Sequence, residues 1–213
     1  MRIKWTFIAS QIWLLALAIL LTIYLMWLVY PIEIRYLHLS DQTYLSQSTI
    51  AYNFTILMNY LTNPFVQVLA MPDFRSSAAG VHHFQAVKWL FHLVQALSIL
   101  LLPFAYLFYK KVIKAGYFSL FTRKILGVLL TPLVIGLAAL GMGFDLFFTL
   151  FHQILFVGDD TWLFDPRFDP VIRILPEELF LHAFLLFFVL YEGMLIVLYI
   201  WSRQKKGEPL WKI

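Results

Sequence analysis

Four long stretches of the chain are almost free of Asp, Glu, Lys and Arg, and they limit what the chain can fold into. A helix needs about 20 apolar residues to cross a hydrocarbon layer of about 30 Å. Inside that layer every backbone N–H and C=O must be paired internally, so such stretches form helices. We therefore predict an all-α integral membrane protein with four transmembrane helices, at about 5–30, 88–109, 125–145 and 179–201.

The composition agrees with this prediction and excludes other classes. Of the 213 residues, 62% are hydrophobic and 13% are charged, whereas soluble domains have about 45–50% apolar and roughly 25% charged residues. A soluble domain of this size still exposes about 30% of its unfolded area, so it could not bury so much apolar surface. Cysteine is absent, which excludes disulfides, thiolate metal sites and a catalytic thiol. We predict one membrane domain over residues 1–213, without a cofactor or a nucleic-acid partner.

The distribution of Lys and Arg predicts the orientation, because these residues collect on the cytoplasmic side. Three segments are basic and contain one acid, Glu208: the N-terminus, the connection between the second and third helices, and the C-terminal tail (Arg2 and Lys4; Lys110, Lys111, Lys114, Arg123 and Lys124; Arg203, Lys205, Lys206 and Lys212). Both termini are thus expected to be cytoplasmic. The first apolar stretch is longer than the about 7–15 residues of a signal peptide, so we interpret it as a retained helix that ends at Pro31.

Two long segments, 31–87 and 146–178, are then extracytoplasmic, and their length indicates structure of their own. Residues 46–61 have apolar side chains at helical spacing, with Ser46 or Ser48 as the N-cap. Residues 145–156 are also helix-compatible, and they either extend the third span or fold back along the membrane surface. We predict that both segments carry short interfacial helices.

The histidines are the candidates for chemistry, because imidazole takes up and releases protons near neutral pH. None of the six lies on the cytoplasmic side (His38, His82, His83, His92, His152 and His182). Interfacial histidines often only cap or anchor helices, which is our interpretation of His38, and His92 with Gln95 suggests a helix–helix hydrogen bond. A metal site of His82, His83 and His152 lacks the usual ligand spacing and is not favoured. We assign a structural role to Glu192, the one acid deep in a span.

Two motifs resemble the lipoprotein intramolecular transacylases (Lit) of Gram-positive bacteria. Gly80-Val-His-His-Phe-Gln-Ala-Val-Lys88 is similar to the motif that leads into the second span of that family. Phe151-His-Gln-Ile-Leu-Phe156, followed by Trp162-x-Phe164-Asp-Pro166 and Asp169-Pro-Val-Ile172, resembles the second family motif. His83 matches the family histidine better than His82, because it stands five residues before the lysine. The sequence departs from the family at Ala86, where an acid is expected.

The resemblance implies an enzyme that moves the sn-2 acyl chain of a diacylglyceryl lipoprotein onto the α-amino group of the lipoprotein's first cysteine. It implies His83 and His152 as the catalytic, proton-transferring pair, without an acyl-enzyme. Lys88 is expected to bind the substrate, by stabilising an oxyanion or binding headgroup phosphate. Trp162, Asp165 and Asp169 are expected to seat the lipopeptide or shape the loop. The active site would face outward, towards lipoprotein and lipid in the outer leaflet of the cell membrane.

One alternative from a different class is kept open at this point. The chain could be a non-enzymatic accessory protein that binds lipid or a partner helix. The distance between His83 and His152 discriminates the two, because a proton relay fails if these rings are more than about 12 Å apart. The sequence does not determine the oligomeric state, and a monomer is the working expectation.

Overall fold

The computed structural model of the chain describes residues 3–204, and every regular element in that part is helical. It contains eight α-helices in the following order: α1 (Ile3–Tyr36), α2 (Leu39–Thr43), α3 (Gln47–Thr62), α4 (Ala78–Leu100), α5 (Leu102–Phe108), α6 (Thr122–Met142), α7 (Phe144–Leu155) and α8 (Glu177–Arg203). A π-helical turn, Tyr109–Ile113, follows α5, and 3-10 turns at Phe118–Phe121 and Pro170–Ile174 precede α6 and α8.

Four helical stretches are long and apolar enough to cross a membrane: Ile3–Tyr36, Ala78–Ile113, Phe118–Met142 and Glu177–Arg203. They confirm the predicted number of spans, and each overlaps one predicted range. The second stretch combines α4, α5 and the π-helical turn. The parts of the charge prediction that concern Arg2 and the tail from residue 205 onward lie outside the described residues.

The first span does not end at Pro31, so that expectation was wrong, and α1 continues to Tyr36. A proline inside a helix leaves a carbonyl unpaired and costs about 3 kcal/mol or more. Burial on both sides of the proline offsets this cost, since Tyr30 and Ile34 are each 1% exposed. The Tyr30 hydroxyl also donates to the carbonyl of Ile174 at 2.7 Å. Tertiary contacts therefore extend the helix past its sequence-level stop signal.

The helix of the second span begins well before residue 88, because two polar residues cap it at Ala78. The Ser77 hydroxyl accepts a hydrogen bond from the backbone N–H of Gly80 at 3.0 Å. The carboxylate of Asp169 in turn accepts from the backbone N–H and the hydroxyl of Ser77, both at 2.7 Å. The helix thus begins ten residues before the predicted start of the span, and His82 and His83 lie in its first two turns.

The first connecting segment (37–77) and the second connecting segment (143–176) pack together at one end of the helix bundle. As predicted, Ser46 caps α3, where its hydroxyl accepts from the N–H of Thr49 at 3.1 Å. Ile50 of α3 and Ile174 of the second connecting segment are fully buried in one hydrophobic core. We call these two packed segments the end layer. The layer lies at the end of the bundle where α1 and α6 finish and α4 and α8 begin.

The third span ends at Met142, earlier than the predicted residue 145, because the chain turns at Gly143. The φ of Gly143 is +84°, a conformation that glycine adopts far more readily than other residues. After this break α7 forms a separate helix, so residues 145–156 do not extend the third span. Phe147 and Phe151 of α7 pack on Phe184 of α8 with ring centroids 5.1 and 4.9 Å apart. The apolar face of α7 is thus held against the fourth span.

Candidate functional site

His83 and His152, which are remote in sequence, meet where α4 enters the end layer. His83 lies in the second turn of α4 and His152 in the last turn of α7. Their ring centroids are 5.9 Å apart, well inside the limit of about 12 Å for a proton relay. The two residues are 7% and 9% exposed, respectively. We call them the histidine pair.

Aromatic side chains surround the histidine pair. Phe156 and Phe164 pack on His83 with centroid distances of 4.8 and 5.5 Å, and their rings meet it edge-on. His152 stacks on Trp162 at 4.8 Å. Phe148 and Phe151 of α7 lie against the other sides of His152, at 4.2 and 5.7 Å. We call this enclosure the aromatic cage; its walls are Phe148, Phe151, Phe156, Trp162 and Phe164.

The hydrogen bonds of the two rings differ. Nδ1 of His152 lies 2.9 Å from the carbonyl oxygen of Phe148. A carbonyl only accepts, so this nitrogen carries the proton, and in the neutral ring Nε2 has the free lone pair. Nδ1 of His83 is buried and has no hydrogen-bond partner among residues 3–204. A ring nitrogen on each histidine therefore remains free for proton transfer to a bound molecule.

Burial favours the neutral form of His152. Burial lowers its pKa from the usual 6.5, while the hydrogen bond to the Phe148 carbonyl acts in the opposite direction. An imidazole with a lowered pKa is unprotonated at neutral pH and can accept a proton from a substrate amine. His152 thus has the protonation state of a general base.

His82, unlike its neighbour His83, has a carboxylate as its hydrogen-bond partner. Its Nε2 lies 2.9 Å from a carboxylate oxygen of Asp159 in the second connecting segment. The other oxygen of Asp159 accepts from the hydroxyl and the backbone N–H of Thr161 at 2.6 and 2.9 Å. These bonds, mainly those of Thr161, hold the pKa of Asp159 below its usual value. The Asp159 carboxylate therefore fastens the segment that carries Phe156 and Trp162 to α4.

Sequence reasoning missed Asp159 and Phe148, and it named Phe151, Phe156 and Phe164 only as motif residues without a role in the site. The separation of 77 positions between His82 and Asp159 leaves no local periodicity that could connect them. The one available signal was the missing acid at Ala86, which left open whether a carboxylate from another segment takes its place. Asp159 supplies a carboxylate beside the site, although its partner is His82 and not His83.

Lys88 is buried at 8% exposure and makes contacts with the first connecting segment. Its ammonium donates to the carbonyl of Val66 and lies 4.4 Å from the ring centroid of Tyr60. A carbonyl acceptor and an aromatic face are both favourable surroundings for a buried cation. These contacts attach the extended stretch after α3 to α4, one to two turns beyond His83.

The three remaining predicted site residues occupy different environments. Trp162 is a wall of the aromatic cage and stacks on His152. The Asp165 carboxylate pairs with Arg167 at 2.6 Å, and this guanidinium holds the pKa of Asp165 at about 2. Asp169 is 4% exposed, and its carboxylate is engaged by Ser77. Trp162 is thus in direct contact with the histidine pair, whereas the two aspartates make bonds that shape the second connecting segment.

The other histidines lie apart from the aromatic cage. Nδ1 of His182 is 2.8 Å from the carboxylate of Glu33 on α1, and His38 is an exposed residue in the turn before α2. His92 bonds within its own helix to Gln95, and the Gln95 amide donates to the carbonyl at the end of α3. In the range 3–204 no three His, Asp or Glu side chains converge as metal ligands would.

Sequence comparison identifies the family to which these features belong. The model of the family described as lipoprotein intramolecular transacylase Lit matches residues 4–180. The chain belongs to this family. Both motifs that carried the resemblance, in α4 and in the stretch from α7 to residue 172, lie within the matched range.

The fold agrees with solved structures of Lit. The membrane-integral lipoprotein intramolecular transacylase Lit from Bacillus cereus is 28% identical, with a TM-score of 0.80 over 93% of this chain and 92% of that chain. A variant of that protein with one histidine mutated to alanine is 27% identical, with a TM-score of 0.77 over 93% and 90% of the two chains. No curated protein sequence matches the chain.

Membership in the Lit family confirms two predictions. The chain is an enzyme, a lipoprotein intramolecular transacylase, so the non-enzymatic alternative is set aside. It is also a multi-pass membrane protein with four apolar helices of spanning length among its described residues. The two Lit motifs, separate in sequence, meet in the aromatic cage, where each contributes one histidine.

Proposed function

We propose that the chain moves the sn-2 acyl chain of a diacylglyceryl lipoprotein from the glyceryl oxygen to the α-amino group of the N-terminal cysteine. The product is an N-acylated lipoprotein with a monoacylglyceryl group. The observation that carries this proposal is the pair of buried imidazoles 5.9 Å apart. Amide formation from an ammonium group and an ester needs one group that removes a proton and one that returns it, and two imidazoles suffice.

The reaction proceeds in two steps. The α-amino group has a pKa near 8, so it is largely protonated at neutral pH. One imidazole takes a proton from it, the amine nitrogen bonds to the ester carbon, and the carbonyl electrons move to oxygen. The nitrogen of the tetrahedral intermediate then gives up a second proton to the histidine pair, and the carbonyl re-forms as the C–O bond to glycerol breaks. Of the two protons removed from nitrogen, one passes to the departing glyceryl oxygen and the other is released to water.

No acyl-enzyme is needed, because the donor and the acceptor belong to one molecule. Holding two reacting groups together can supply roughly 7–11 kcal/mol of the barrier in well-oriented systems. The aromatic walls lie directly against both rings, so a substrate that reaches the histidine pair would be bound among apolar side chains. These walls also exclude water, which would otherwise hydrolyse the ester.

We propose further that the end layer faces the extracytoplasmic side and acts on lipoproteins in the outer leaflet. At the opposite end of the bundle, the connection between α5 and α6 together with the first turn of α6 carries five basic residues and no acid (Lys110, Lys111, Lys114, Arg123 and Lys124). Such a connection is typical of the cytoplasmic side. Lys88, Asp165 and Asp169 contact Val66, Arg167 and Ser77, respectively, at this end of the molecule, and their predicted part in seating the substrate remains a proposal.

The test is incubation of the purified protein in lipid vesicles with a synthetic diacylglyceryl lipopeptide, followed by fragmentation mass spectrometry. The expected product carries one acyl chain on the amine and has the same total mass as the substrate. His38→Ala is a matched histidine control, since its side chain is 78% exposed, and it is expected to retain activity. An unmodified amine, or an acyl group found on the protein itself, would contradict the proposal.

A further inference from the structure

Trp162 differs from the other walls of the aromatic cage because it carries a polar N–H. The remaining walls are phenylalanines, whereas Nε1 of Trp162 is buried and has no acceptor among residues 3–204. A phenylalanine could stack on His152 equally well without burying a donor. An unpaired buried N–H is costly, so its presence beside the histidine pair calls for a bound group that accepts its hydrogen bond.

We propose that the indole N–H of Trp162 is the oxyanion donor of the acyl transfer. The inference rests on the proposed function. When the amine nitrogen bonds to the ester carbon, the carbonyl π electrons move to the oxygen, which becomes negatively charged. A hydrogen bond from Nε1 stabilises that oxygen until the C–O bond to glycerol breaks and the carbonyl re-forms. The indole gives up no proton, and the histidine pair carries all proton transfers.

The stack with His152 gives the donor a suitable position. The two rings are 28° from parallel with centroids 4.8 Å apart, so the indole lies directly against the imidazole. In the proposed complex the ester carbonyl oxygen contacts the indole N–H while the attacking nitrogen contacts the imidazole.

Lys88, the cation near the site, already has partners of its own. Lys88 was the sequence-based candidate for an oxyanion contact, but its ammonium donates to the Val66 carbonyl and lies over Tyr60. The donor on Trp162 is by contrast unpaired and is carried by a fastened segment, since Asp159 binds both His82 and Thr161. Fixed donors are the most effective oxyanion stabilisers, because they need no reorganisation during the reaction.

The decisive variant is Trp162→Phe, which keeps an aromatic ring against His152 and removes the N–H. We expect kcat to fall about 100-fold, the size of the loss when one oxyanion donor is removed, with KM within about twofold. The pH dependence should not change, because no proton-transferring group is altered. A second variant with 3-benzothienylalanine at position 162 replaces N–H by sulfur at nearly constant shape and should lose the same factor. Trp89→Phe is the matched control, since Trp89 is 68% exposed, and should react as the wild type does.

Two substrate analogues add an independent measurement. A lipopeptide with a phosphonate at the sn-2 position resembles the anionic tetrahedral intermediate, and it should inhibit the wild type more strongly than Trp162→Phe by about the factor lost in kcat. An ether analogue, which has no such oxygen, should inhibit both equally.

The outcomes separate the two proposals. A wild type that transfers no acyl chain overturns the proposed function and this inference together. An active wild type with unchanged kcat in Trp162→Phe and in the sulfur variant overturns the inference alone. A rise in KM without a loss of kcat also overturns it, because Trp162 would then be only a packing wall.

Discussion

Two histidine contacts at the same end of the bundle have opposite surroundings. The rings of His83 and His152 face each other inside aromatic walls, and both residues are less than a tenth exposed. His182 of α8 instead meets the carboxylate of Glu33 on α1 at 2.8 Å, and its side chain is 27% exposed. The first contact joins a spanning helix to the second connecting segment, whereas the second joins two spanning helices.

The difference teaches which contact is suited to chemistry. Acyl transfer to an amine needs one group that removes a proton and one that returns it. The histidine pair places two imidazoles side by side, whereas the partner of His182 is the carboxylate of Glu33, which connects α8 to α1. We therefore interpret the His182–Glu33 contact as a bond between α1 and α8 and the histidine pair as the reactive centre.

The largest expected effect comes from removing either member of the histidine pair. His83→Ala and His152→Ala should each lower the rate of acyl transfer about 10³-fold, within the range of about 10²–10⁴ for general acid–base groups. His182→Ala should stay within about twofold of the wild type. Mass spectrometry of the lipopeptide product measures all three. Near-normal rates in both cage variants would falsify the assignment, and a large loss in His182→Ala would break the comparison.

A smaller effect is expected from Gly80→Ala, which disturbs the reactive region and leaves the His182–Glu33 contact untouched. A Cβ on Gly80 would lie 2.8 Å from Cγ of Asp169, so the second connecting segment must move away from α4. Overpacking of this kind costs about 1–3 kcal/mol, and activity should fall about tenfold.

Gly127→Ala in α6 is the matched control for that substitution. A Cβ at Gly127 meets no atom within 4 Å, and alanine is favoured over glycine in a helix interior by about 0.8–1 kcal/mol. Its thermal unfolding temperature should be equal to or above that of the wild type. Equal unfolding temperatures and activities in both alanine variants would show that the contact between Gly80 and Asp169 is unimportant.

Asp159→Asn tests the carboxylate that binds His82 and Thr161 beside the aromatic cage. The substitution weakens the bond to His82 and should lower activity about threefold to tenfold, because Trp162 is then held less firmly. Asp160→Asn changes the adjacent, exposed residue and should have no effect. Steady-state kinetics of both variants with the same lipopeptide measure the difference. Equal rates would show that Asp159 does not contribute to the activity of the site.

The smallest effect is a shift in titration. Burial lowers the pKa of His152 from 6.5, so its NMR signal should titrate below that value, with His152→Ala used for assignment. Just below pH 6.5 the unfolded chain then binds more protons than the folded one. The contribution of His152 to stability is therefore fully present above pH 6.5, and it is lost as the pH falls from 6.5 through the lowered pKa of the folded protein. A midpoint above 6.5 would contradict a neutral His152.

Much of the fold could be predicted because its signals are local. The four spans and the Ser46 cap each depend on residues that are adjacent or one helical turn apart. The errors arose where distant contacts overrode a local signal. Pro31 is a valid stop signal, but the buried Tyr30 and Ile34 carry α1 past it. The start of α4 depends on Asp169, which binds Ser77 from a position 92 residues away.

The candidate site was predictable only in part for the same reason. His83 and His152 were identified from motifs, and the structure brings them within 5.9 Å. The spacing from Lys88 favoured His83 over His82, but the sequence did not show which side chains each of these consecutive histidines would contact. The packing of the second connecting segment places Asp159 against His82 and the aromatic cage around His83.

The sequence by itself determined that this chain is a four-helix membrane protein, because a backbone in lipid must pair its own polar groups and long apolar stretches do so only as helices. It also determined which residue types were available for proton transfer. Only the tertiary structure decided which of them meet, since that depends on how two connecting segments share one hydrophobic core. The same packing stacks Trp162 on His152 and leaves its indole N–H without a partner among residues 3–204.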